Sequence, residues 1–284
     1  MSKLKSLRLE TAAARNRRLF GTDNPVAFVT GSAAPRVGRC VLERLMAEGF
    51  RPIFHSHRDA SQAREIAEEA TALGHQSGWV VGDVGEEQIV AGWLETIMSQ
   101  FGRCDLLVNS ASIWNPQVLE RTSQGDFEAH FRANALGTAL CCQHFGLAMT
   151  KQPMGGSIVN IGDWASRRPY QDFAAYFLSK ASIEGVTKSM AVELASRNPR
   201  VRVNAILPGP VQLADGIDAQ KRELIIAECL LKREGTATDV AQTVLFLASS
   251  PFVTGACIPV DGGRTIYAGP TADTMAHPNH DPGG

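Results

Sequence analysis

From Pro25 onward, short apolar runs alternate with longer segments of helical period. Few folds accommodate this alternation, because parallel strands must be joined by crossover segments, which are usually helices. Each run is almost continuously apolar, as expected of strands covered on both faces. Strands are predicted at residues 26–30, 52–57, 78–83, 106–109, 157–161, 202–207 and 257–260. Helices are predicted at residues 37–49, 61–73, 86–101, 125–150, 173–196, 219–230 and 237–249. The sequence therefore predicts an α/β fold, a doubly wound parallel sheet with helices on both faces.

The alternation runs without a repeat or a linker, which predicts a single domain over residues 25–268. Residues 1–24 are basic, but Glu10 and Asp23 favour a solvated extension over a transit peptide. Residues 269–284 end in His-Pro-Asn-His-Asp-Pro-Gly-Gly, a composition typical of a flexible tail.

Composition restricts the partners. The chain is 44% hydrophobic and 20% charged, with a formal net charge of -1. So small a net charge indicates neither nucleic acid nor a membrane surface as partner, and a small-molecule substrate is expected. The chain has no apolar run long enough to span a bilayer and no signal-peptide core, which predicts a cytoplasmic location. Its six cysteines lack metal-ligand spacing, so we interpret them as reduced thiols and predict no metal.

The first predicted strand is followed by a turn of small residues that opens directly into a helix. Gly31 and Gly38 lack side chains there, and Arg36 and Val37 stand where the helix begins. The backbone N–H groups of such a turn, together with the helix N-terminus, can bind a pyrophosphate. Two glycines alone are weak evidence, because an ordinary strand-to-helix turn can contain them. Within this alternation they predict a dinucleotide site of Rossmann type.

The second predicted strand ends in His55-Ser56-His57-Arg58. Dinucleotide folds specific for NAD usually place an acidic residue there, against the ribose 2′-OH. The Arg58 guanidinium, with His57 beside it, suits a 2′-phosphate instead, although Asp59 could partly neutralise it. NADPH is therefore the predicted cofactor.

Two further strand ends carry residues suited to a cofactor. Asp83 and Val84 follow the third strand, where the carboxylate could bind the adenine. Asn109, Ser110 and Ala111 end the fourth strand. A helix cap and a turn explain the same residues, and both interpretations stay open.

Tyr176 and Lys180 lie four residues apart in a predicted helix, which places the phenol and the ammonium on one face. A nearby ammonium favours the phenolate, so we expect it to lower the tyrosine pKa toward a range useful for acid–base catalysis. Taken alone, the two residues are more often an ordinary surface pair.

Together, these residues resemble the motifs of the short-chain dehydrogenase/reductase family in order and spacing. The motifs, within about residues 25–268, are Thr30-Gly31, Asn109-Ser110-Ala111, Asn134, Tyr176 with Lys180, Pro208-Gly209 and Val260-Asp261-Gly262-Gly263. The resemblance implies that Tyr176 donates a proton and that Lys180 lowers the Tyr176 pKa and holds the nicotinamide ribose. It assigns Asn134 to a water-linked proton relay, with a buried structural amide as the alternative, and it places Pro208 and Gly209 at the cofactor.

Asp163 departs from the family pattern. It lies thirteen residues before Tyr176, where most family members have a serine that hydrogen-bonds a substrate carbonyl. An ionised aspartate would repel the alkoxide that develops in carbonyl reduction. It suits a substrate that offers ring N–H donors or needs protonation at nitrogen. A paralogue without activity is the other interpretation.

The aspartate and three local features are similar to the pteridine reductases within that family. Arg36 precedes Val37-Gly38, the second strand has the His-x-His-Arg ending, and residues 109–114 read Asn-Ser-Ala-Ser-Ile-Trp. The comparison implies that Ser112 hydrogen-bonds a pterin, that Trp114 stacks on it, and that Arg36 reaches the cofactor phosphates and the substrate. Trp114 could instead be a loop or core aromatic.

The resulting hypothesis is an NADPH-dependent oxidoreductase that reduces a dihydropterin or a related heterocycle, with protons delivered through Tyr176, Lys180 and Asp163. The alternatives are a generic carbonyl or 3-oxoacyl reductase and a non-catalytic NADPH-sensing protein. The family resemblance further implies a substrate lid in residues 211–233. It also implies a homotetramer built through helices 125–150 and 173–196.

Overall fold

The computed structural model of the chain describes residues 10–213 and 216–267. Seven parallel strands form one sheet in the order β3-β2-β1-β4-β5-β6-β7. The strands are β1 Val26–Val29, β2 Arg51–Ser56, β3 Gly78–Val81, β4 Leu106–Asn109, β5 Gly156–Ile161, β6 Val201–Pro208 and β7 Cys257–Val260. The predicted doubly wound sheet is confirmed, and the strand ends differ from prediction by only a residue or two.

The helices that the structure describes are α1 Ala12–Phe20, α2 Val37–Ala47, α3 Ala60–Ala72, α4 Glu87–Phe101, α5 Gln124–His130, α6 Gly137–Thr150, α7 Ala174–Ala195, α8 Ala219–Ala227 and α9 Ala237–Ser249. The predicted single helix over residues 125–150 is wrong in one respect. A π-helical segment, Phe131–Leu136, separates α5 from α6. Its wider turn is not encoded in the apolar period, so the sequence pattern could not reveal it.

Helices cover both faces of the sheet and bury two apolar cores. Val41, Leu45 and Val244, from α2 and α9, belong to the core on one face. Phe145 and Leu194, from α6 and α7, belong to the core on the other face. The strand order reverses between β1 and β4, and open sheets of this kind bind ligands in the crevice at that switch point.

The N-terminal region differs from the predicted solvated extension. Residues 12–20 form α1, in which Asn16 and Phe20 are buried. The Asn16 side-chain amide donates to the Asp23 and Glu48 carbonyl oxygens at 3.1 and 2.8 Å, and the Phe20 ring packs edge-on against Phe50 at 5.7 Å. The basic charge is balanced locally, because Arg15, Arg17 and Arg18 pair with Glu48, Asp23 and Glu10.

The remaining terminal predictions lie outside the described residues. They concern the first nine residues of the basic N-terminal segment and the tail over residues 269–284. Within residues 10–213 and 216–267, no helix is both long enough and apolar enough to cross a membrane.

Candidate active site

The motif residues meet at the carboxyl ends of β1 and β4. The Thr30 hydroxyl accepts hydrogen bonds from the backbone N–H groups of Ser110 and Ala111, at 2.9 and 3.0 Å. This oxygen joins the ends of the two strands that flank the switch point. The first turn and residues 109–111, predicted separately from sequence, are therefore neighbours in space.

Two glycines bring the first turn close to the loop after β4. Gly31 has a φ of 70°, and a Cβ there would lie 3.1 Å from the Ala111 Cα. Gly38 lies in the first turn of α2, which begins at Val37. A Cβ on Gly38 would lie 3.1 Å from the Ser110 Oγ. The backbone is left bare beside a helix N-terminus, the arrangement that a dinucleotide pyrophosphate requires. The chain therefore has a cradle that fits a nicotinamide dinucleotide.

Two arginines near this turn have different positions. Arg36 occupies the N-cap position of α2, where its side chain is exposed and does not cap the helix. Arg39 donates from Nε to the Ser32 carbonyl oxygen at 2.8 Å and from its terminal nitrogen to the Ala33 carbonyl oxygen. Its guanidinium also lies over the Phe54 ring, 5.8 Å from the centroid. Arg39 braces the turn, a role that no motif in the sequence indicated.

The residues predicted to read the ribose lie at the end of β2. His57 and Arg58 are exposed there. The Asp59 carboxylate caps α3 by accepting from the Gln62 N–H at 3.0 Å. Asp59 thus serves as a helix cap, and the structure assigns its carboxylate to the backbone of α3.

The Asp83 carboxylate takes part in a turn and an ion pair. It accepts from the Gly85 N–H at 2.8 Å and lies 3.6 Å from the Arg132 guanidinium. Val84 beside it is buried. These contacts fit the interpretation of Asp83 as a turn residue. Binding of the adenine by Asp83 stays a prediction.

Polar side chains at the other strand ends bond to one another. Asn109 donates from Nδ2 to the Asn160 Oδ1 at 2.9 Å, across the β4–β5 pair. At the end of β6, the Gly209 N–H donates to the Val260 carbonyl oxygen at 2.9 Å. Pro208 is the last residue of that strand.

Asn134 lies in the π-helical segment and holds the loop after β4. Its side-chain oxygen accepts from the Ile113 N–H at 2.9 Å, while its Nδ2 donates to the Ile113 carbonyl oxygen at 3.1 Å. The same nitrogen donates to the Ser179 Oγ at 2.9 Å, and that hydroxyl donates to the Tyr176 carbonyl oxygen. Asn134 therefore links the loop after β4 to α7, as expected of a buried structural amide. Its part in a proton relay stays a prediction.

Tyr176, Asp163 and Lys180, the three residues predicted to carry the chemistry, lie close together. The Tyr176 hydroxyl donates to the Asp163 Oδ2 at 2.6 Å. The Asp163 Oδ1 accepts from the Ala165 N–H at 2.8 Å, which fixes the carboxylate at the start of a short 3₁₀ turn. The Lys180 ammonium donates to the Ile161 carbonyl oxygen at 2.9 Å and lies 5.9 Å from the Tyr176 ring centroid. All three predicted groups are brought together.

An aromatic wall adjoins this centre. Trp114 is 51% exposed, and its ring stacks on Phe173 with centroids 5.0 Å apart and planes 17° apart. Phe173 lies edge-on to Tyr176 at 6.3 Å and to Tyr170 at 5.3 Å. Ser112, also exposed, donates to the neighbouring Ile113 carbonyl oxygen at 3.3 Å. Phe173 and Tyr170 were missed from sequence, because nothing in their spacing marks them as site residues.

Known proteins share both the sequence and the fold. Residues 33–265 match the family model described as enoyl-(acyl carrier protein) reductase. The 3-oxoacyl-[acyl-carrier-protein] reductase FabG of Staphylococcus aureus is 32% identical, over 84% of this chain and 96% of its own length. The chain belongs to the short-chain dehydrogenase/reductase family. Members of this family are oxidoreductases that bind a nicotinamide cofactor.

Two further relatives place this short-chain dehydrogenase/reductase among enzymes with different substrates. Pteridine reductase 1 of Leishmania tarentolae is 33% identical, over 85% of this chain and 96% of its own length. The crystal structure of a gluconate 5-dehydrogenase from Burkholderia cenocepacia, in complex with NADP and tartrate, has a TM-score of 0.79 and 26% identity, over 85% of this chain and 95% of that one. Overall identity to pteridine reductase 1 and to FabG is nearly equal, so it does not distinguish these subgroups.

The electrostatics of the oxidoreductase centre correct one expectation. The Tyr176 pKa is raised well above its ordinary value, first by burial and then by the negative charge of Asp163. The predicted lowering of the Tyr176 pKa is wrong for this structure, because burial and the contact with Asp163 both raise it. Burial also raises the Asp163 pKa, although the Tyr176 hydrogen bond opposes the change. Burial lowers the Lys180 pKa to about 8, against the attraction of Asp163.

Proposed function

We propose that this oxidoreductase uses NADPH to reduce a dihydropterin or a related fused heterocycle. The observation that carries the proposal is the 2.6 Å hydrogen bond between the Tyr176 hydroxyl and the Asp163 carboxylate. A carboxylate in that position can bind a ring N–H or an amino group and can share a proton with the phenol. A serine hydroxyl cannot supply that negative charge.

Reduction of a C=N bond requires a hydride on carbon and a proton on nitrogen. When bound, the nicotinamide supplies the hydride. The Tyr176 hydroxyl is the donor of the proton to nitrogen. The Asp163 carboxylate then takes up a proton from solvent and passes it to the phenolate oxygen, which leaves Asp163 ionised again. Burial raises the Asp163 pKa and so favours this proton-holding form. The Lys180 ammonium, held by the Ile161 carbonyl oxygen, stabilises negative charge on Tyr176 during the transfer.

The substrate ring is assigned to the exposed part of Trp114. Phe173 stacks on one face of the indole, yet half of the Trp114 surface remains exposed. A flat heterocycle stacks well on such a surface. Ser112, whose hydroxyl is exposed in the same loop, is the proposed hydrogen-bond partner of the ring.

NADPH rather than NADH is part of the proposal. Arg58 is exposed at the end of β2, and the neighbouring Asp59 carboxylate is engaged by the α3 backbone. A guanidinium at that strand end suits a 2′-phosphate.

A 3-oxoacyl or carbonyl reductase is the second candidate. FabG of Staphylococcus aureus supports it, since its identity to this chain is similar to that of pteridine reductase 1. The raised Asp163 pKa supports it as well, because a neutral carboxylic acid can donate to a carbonyl oxygen as a serine does. This candidate needs Asp163 to be protonated throughout the reaction.

Measuring NADPH oxidation with dihydrobiopterin, dihydrofolate, a 3-oxoacyl thioester and a panel of simple ketones tests these candidates. We expect turnover of the dihydropterins at rates well above those of the ketones. Efficient reduction of the thioester or ketones without any pterin turnover would support the second candidate. Cofactor binding with no turnover of any substrate would leave the sensor interpretation.

We also propose that the enzyme is a homotetramer assembled through the segment from α5 to α6 and through α7. Large apolar side chains are exposed along these elements: Phe131, Leu136, Leu147, Leu178 and Val192. Large apolar side chains exposed along packed helices are common at interfaces between subunits. Light scattering coupled to size-exclusion chromatography measures the mass, and a monomer at micromolar concentration would contradict the proposal.

A further inference from the structure

His55 is a buried histidine of β2 that the proposed chemistry does not use. Its ring Nδ1 accepts a hydrogen bond from the Gly31 N–H at 2.8 Å, and its Nε2 lies 3.0 Å from the Gly82 carbonyl oxygen. An N–H can only donate and a carbonyl oxygen can only accept, so the ring is neutral with its proton on Nε2. The side chain therefore connects the ends of β1 and β3 through the strand between them.

The backbone of His55 holds the same turn. Its N–H donates to the Ser32 Oγ at 3.2 Å, and its carbonyl oxygen accepts from the Ala33 N–H at 3.0 Å. Three successive residues of the first turn, Gly31 to Ala33, are thus each bonded to this one residue.

Aromatic neighbours fix the orientation of the imidazole. The Trp93 ring lies edge-on at 4.6 Å between centroids, and the Phe28 ring lies edge-on at 6.4 Å. The Trp93 indole is itself anchored, because its N–H donates to the Val81 carbonyl oxygen at 2.9 Å. With its ring enclosed in this way, His55 cannot rotate away from Gly31 without disrupting the core.

We propose that His55 is a positioning residue for the cofactor, which holds the first turn in its dinucleotide-binding form. The inference rests on the proposed cofactor site and extends it to the affinity for the pyrophosphate. A turn that is already ordered loses little entropy when it binds, whereas a turn that samples other conformations binds with an affinity reduced by its competent fraction. Because NADPH and NADH share the pyrophosphate, the effect is the same for both.

Two amide variants separate the two ring contacts. The amide of His55→Asn lies near the Nδ1 position and can accept from the Gly31 N–H. The amide of His55→Gln lies near the Nε2 position and reaches only the Gly82 carbonyl oxygen. We expect His55→Gln to weaken binding of NADP⁺ and of NAD⁺ by about tenfold each, with their ratio unchanged. His55→Asn should stay within about threefold of the wild type, since an accepting partner for Gly31 remains.

Calorimetric titration of the folded proteins measures these affinities, with His75→Asn as the matched control at a histidine before β3. Wild-type protein that binds neither nucleotide would refute the cofactor site itself. Wild-type binding together with equal affinities for the wild type and His55→Gln would refute only the role of His55. A changed NADP⁺ to NAD⁺ ratio would also refute it, because the pyrophosphate is common to both.

Hydrogen exchange gives a test that needs no variant. The inference requires the Gly31 amide of the wild-type protein to be protected before any cofactor is added, because His55 alone accepts from it in the described residues. Exchange of this amide at the rate of an unstructured peptide would overturn the proposal, even if both variants failed to fold.

Discussion

At the scale of single residues, the properties of the candidate active site depend on the contacts of Tyr176, Lys180 and Asp163. Spacing placed Tyr176 and Lys180 on one helical face, and the structure brings both together with Asp163. The direction of the Tyr176 pKa shift could not be predicted from sequence, because it depends on burial and on the 2.6 Å contact with Asp163. The contacts of Arg39 and His55 with the first turn could not be predicted for a similar reason. Their partners are backbone atoms, which no sequence motif displays.

Replacing Tyr176 by Phe should lower turnover by about 100-fold or more, since general acid catalysis contributes factors of that order. The phenyl ring keeps the packing against Phe173 and removes only the hydroxyl that Asp163 accepts from. Steady-state rates and a cofactor titration check the expectation. Turnover within a few-fold of the wild type would exclude Tyr176 as the proton donor.

Replacing Arg58 by Ala should reduce the preference for NADPH over NADH, because the 2′-phosphate loses its counter-ion. Apparent constants for both nucleotides measure the preference. Arg64→Ala, an exposed arginine farther along α3, is a matched control. An unchanged preference would assign the 2′-phosphate to His57 or to the backbone.

Asp163→Ser separates the two candidate functions. We expect it to lower dihydropterin reduction by about tenfold or more and to leave or raise any activity on simple ketones, because the negative charge near the developing alkoxide is removed. Thermal melting and cofactor titration must first show that the variant is folded and binds NADPH. Unchanged rates on both substrate classes would contradict the pterin assignment.

At the scale of elements, the strands were predictable, whereas α1 and the break between α5 and α6 were not. Strands buried on both faces, such as β4, have continuous apolar runs. Both β4 and β7 begin and end where predicted. The π-helical segment between α5 and α6 interrupts a helix that the sequence predicted as continuous. That interruption contains Asn134, whose side chain holds Ile113 and so fixes the loop that carries Trp114.

If the loop after β4 forms the substrate platform, Trp114→Ala should weaken dihydropterin binding by about 1 to 3 kcal/mol, by analogy with base–aromatic stacking. NADPH affinity should be unchanged. Fluorescence titration with a dihydropterin measures the loss. Val118→Ala, an exposed apolar residue farther along the loop, serves as the control. Equal binding by wild type and Trp114→Ala would remove the indole from the site.

At the scale of the whole molecule, buried titratable groups couple folding to pH. Burial lowers the His55 pKa from its ordinary 6.5 to about 4, with the charges of nearby His57 and Asp83 acting in opposite directions. Above pH 6.5 the folded and unfolded chains are both neutral at this residue. Below it the unfolded chain binds a proton first, so stability falls as the pH drops toward 4.

This linkage predicts that the wild type loses about 2 kcal/mol of unfolding free energy at His55 between pH 7 and pH 5. Asparagine does not titrate, so the His55→Asn variant lacks this pH-dependent part of the unfolding free energy. The difference between the two chemical denaturation curves, measured at each pH, isolates it from other groups such as Asp163. Parallel pH profiles for both proteins would contradict a neutral, buried His55.

The position of α1 has a practical consequence for immobilisation and fusion. This helix packs through Asn16 and Phe20 on the end of α2 and the start of β2, at the amino edge of the sheet. Tyr176 and Asp163 are at the opposite, carboxyl edge. A tag, a carrier protein or a solid support joined ahead of Ala12 would therefore attach on the far side of the sheet, leaving the entrance for cofactor and substrate open.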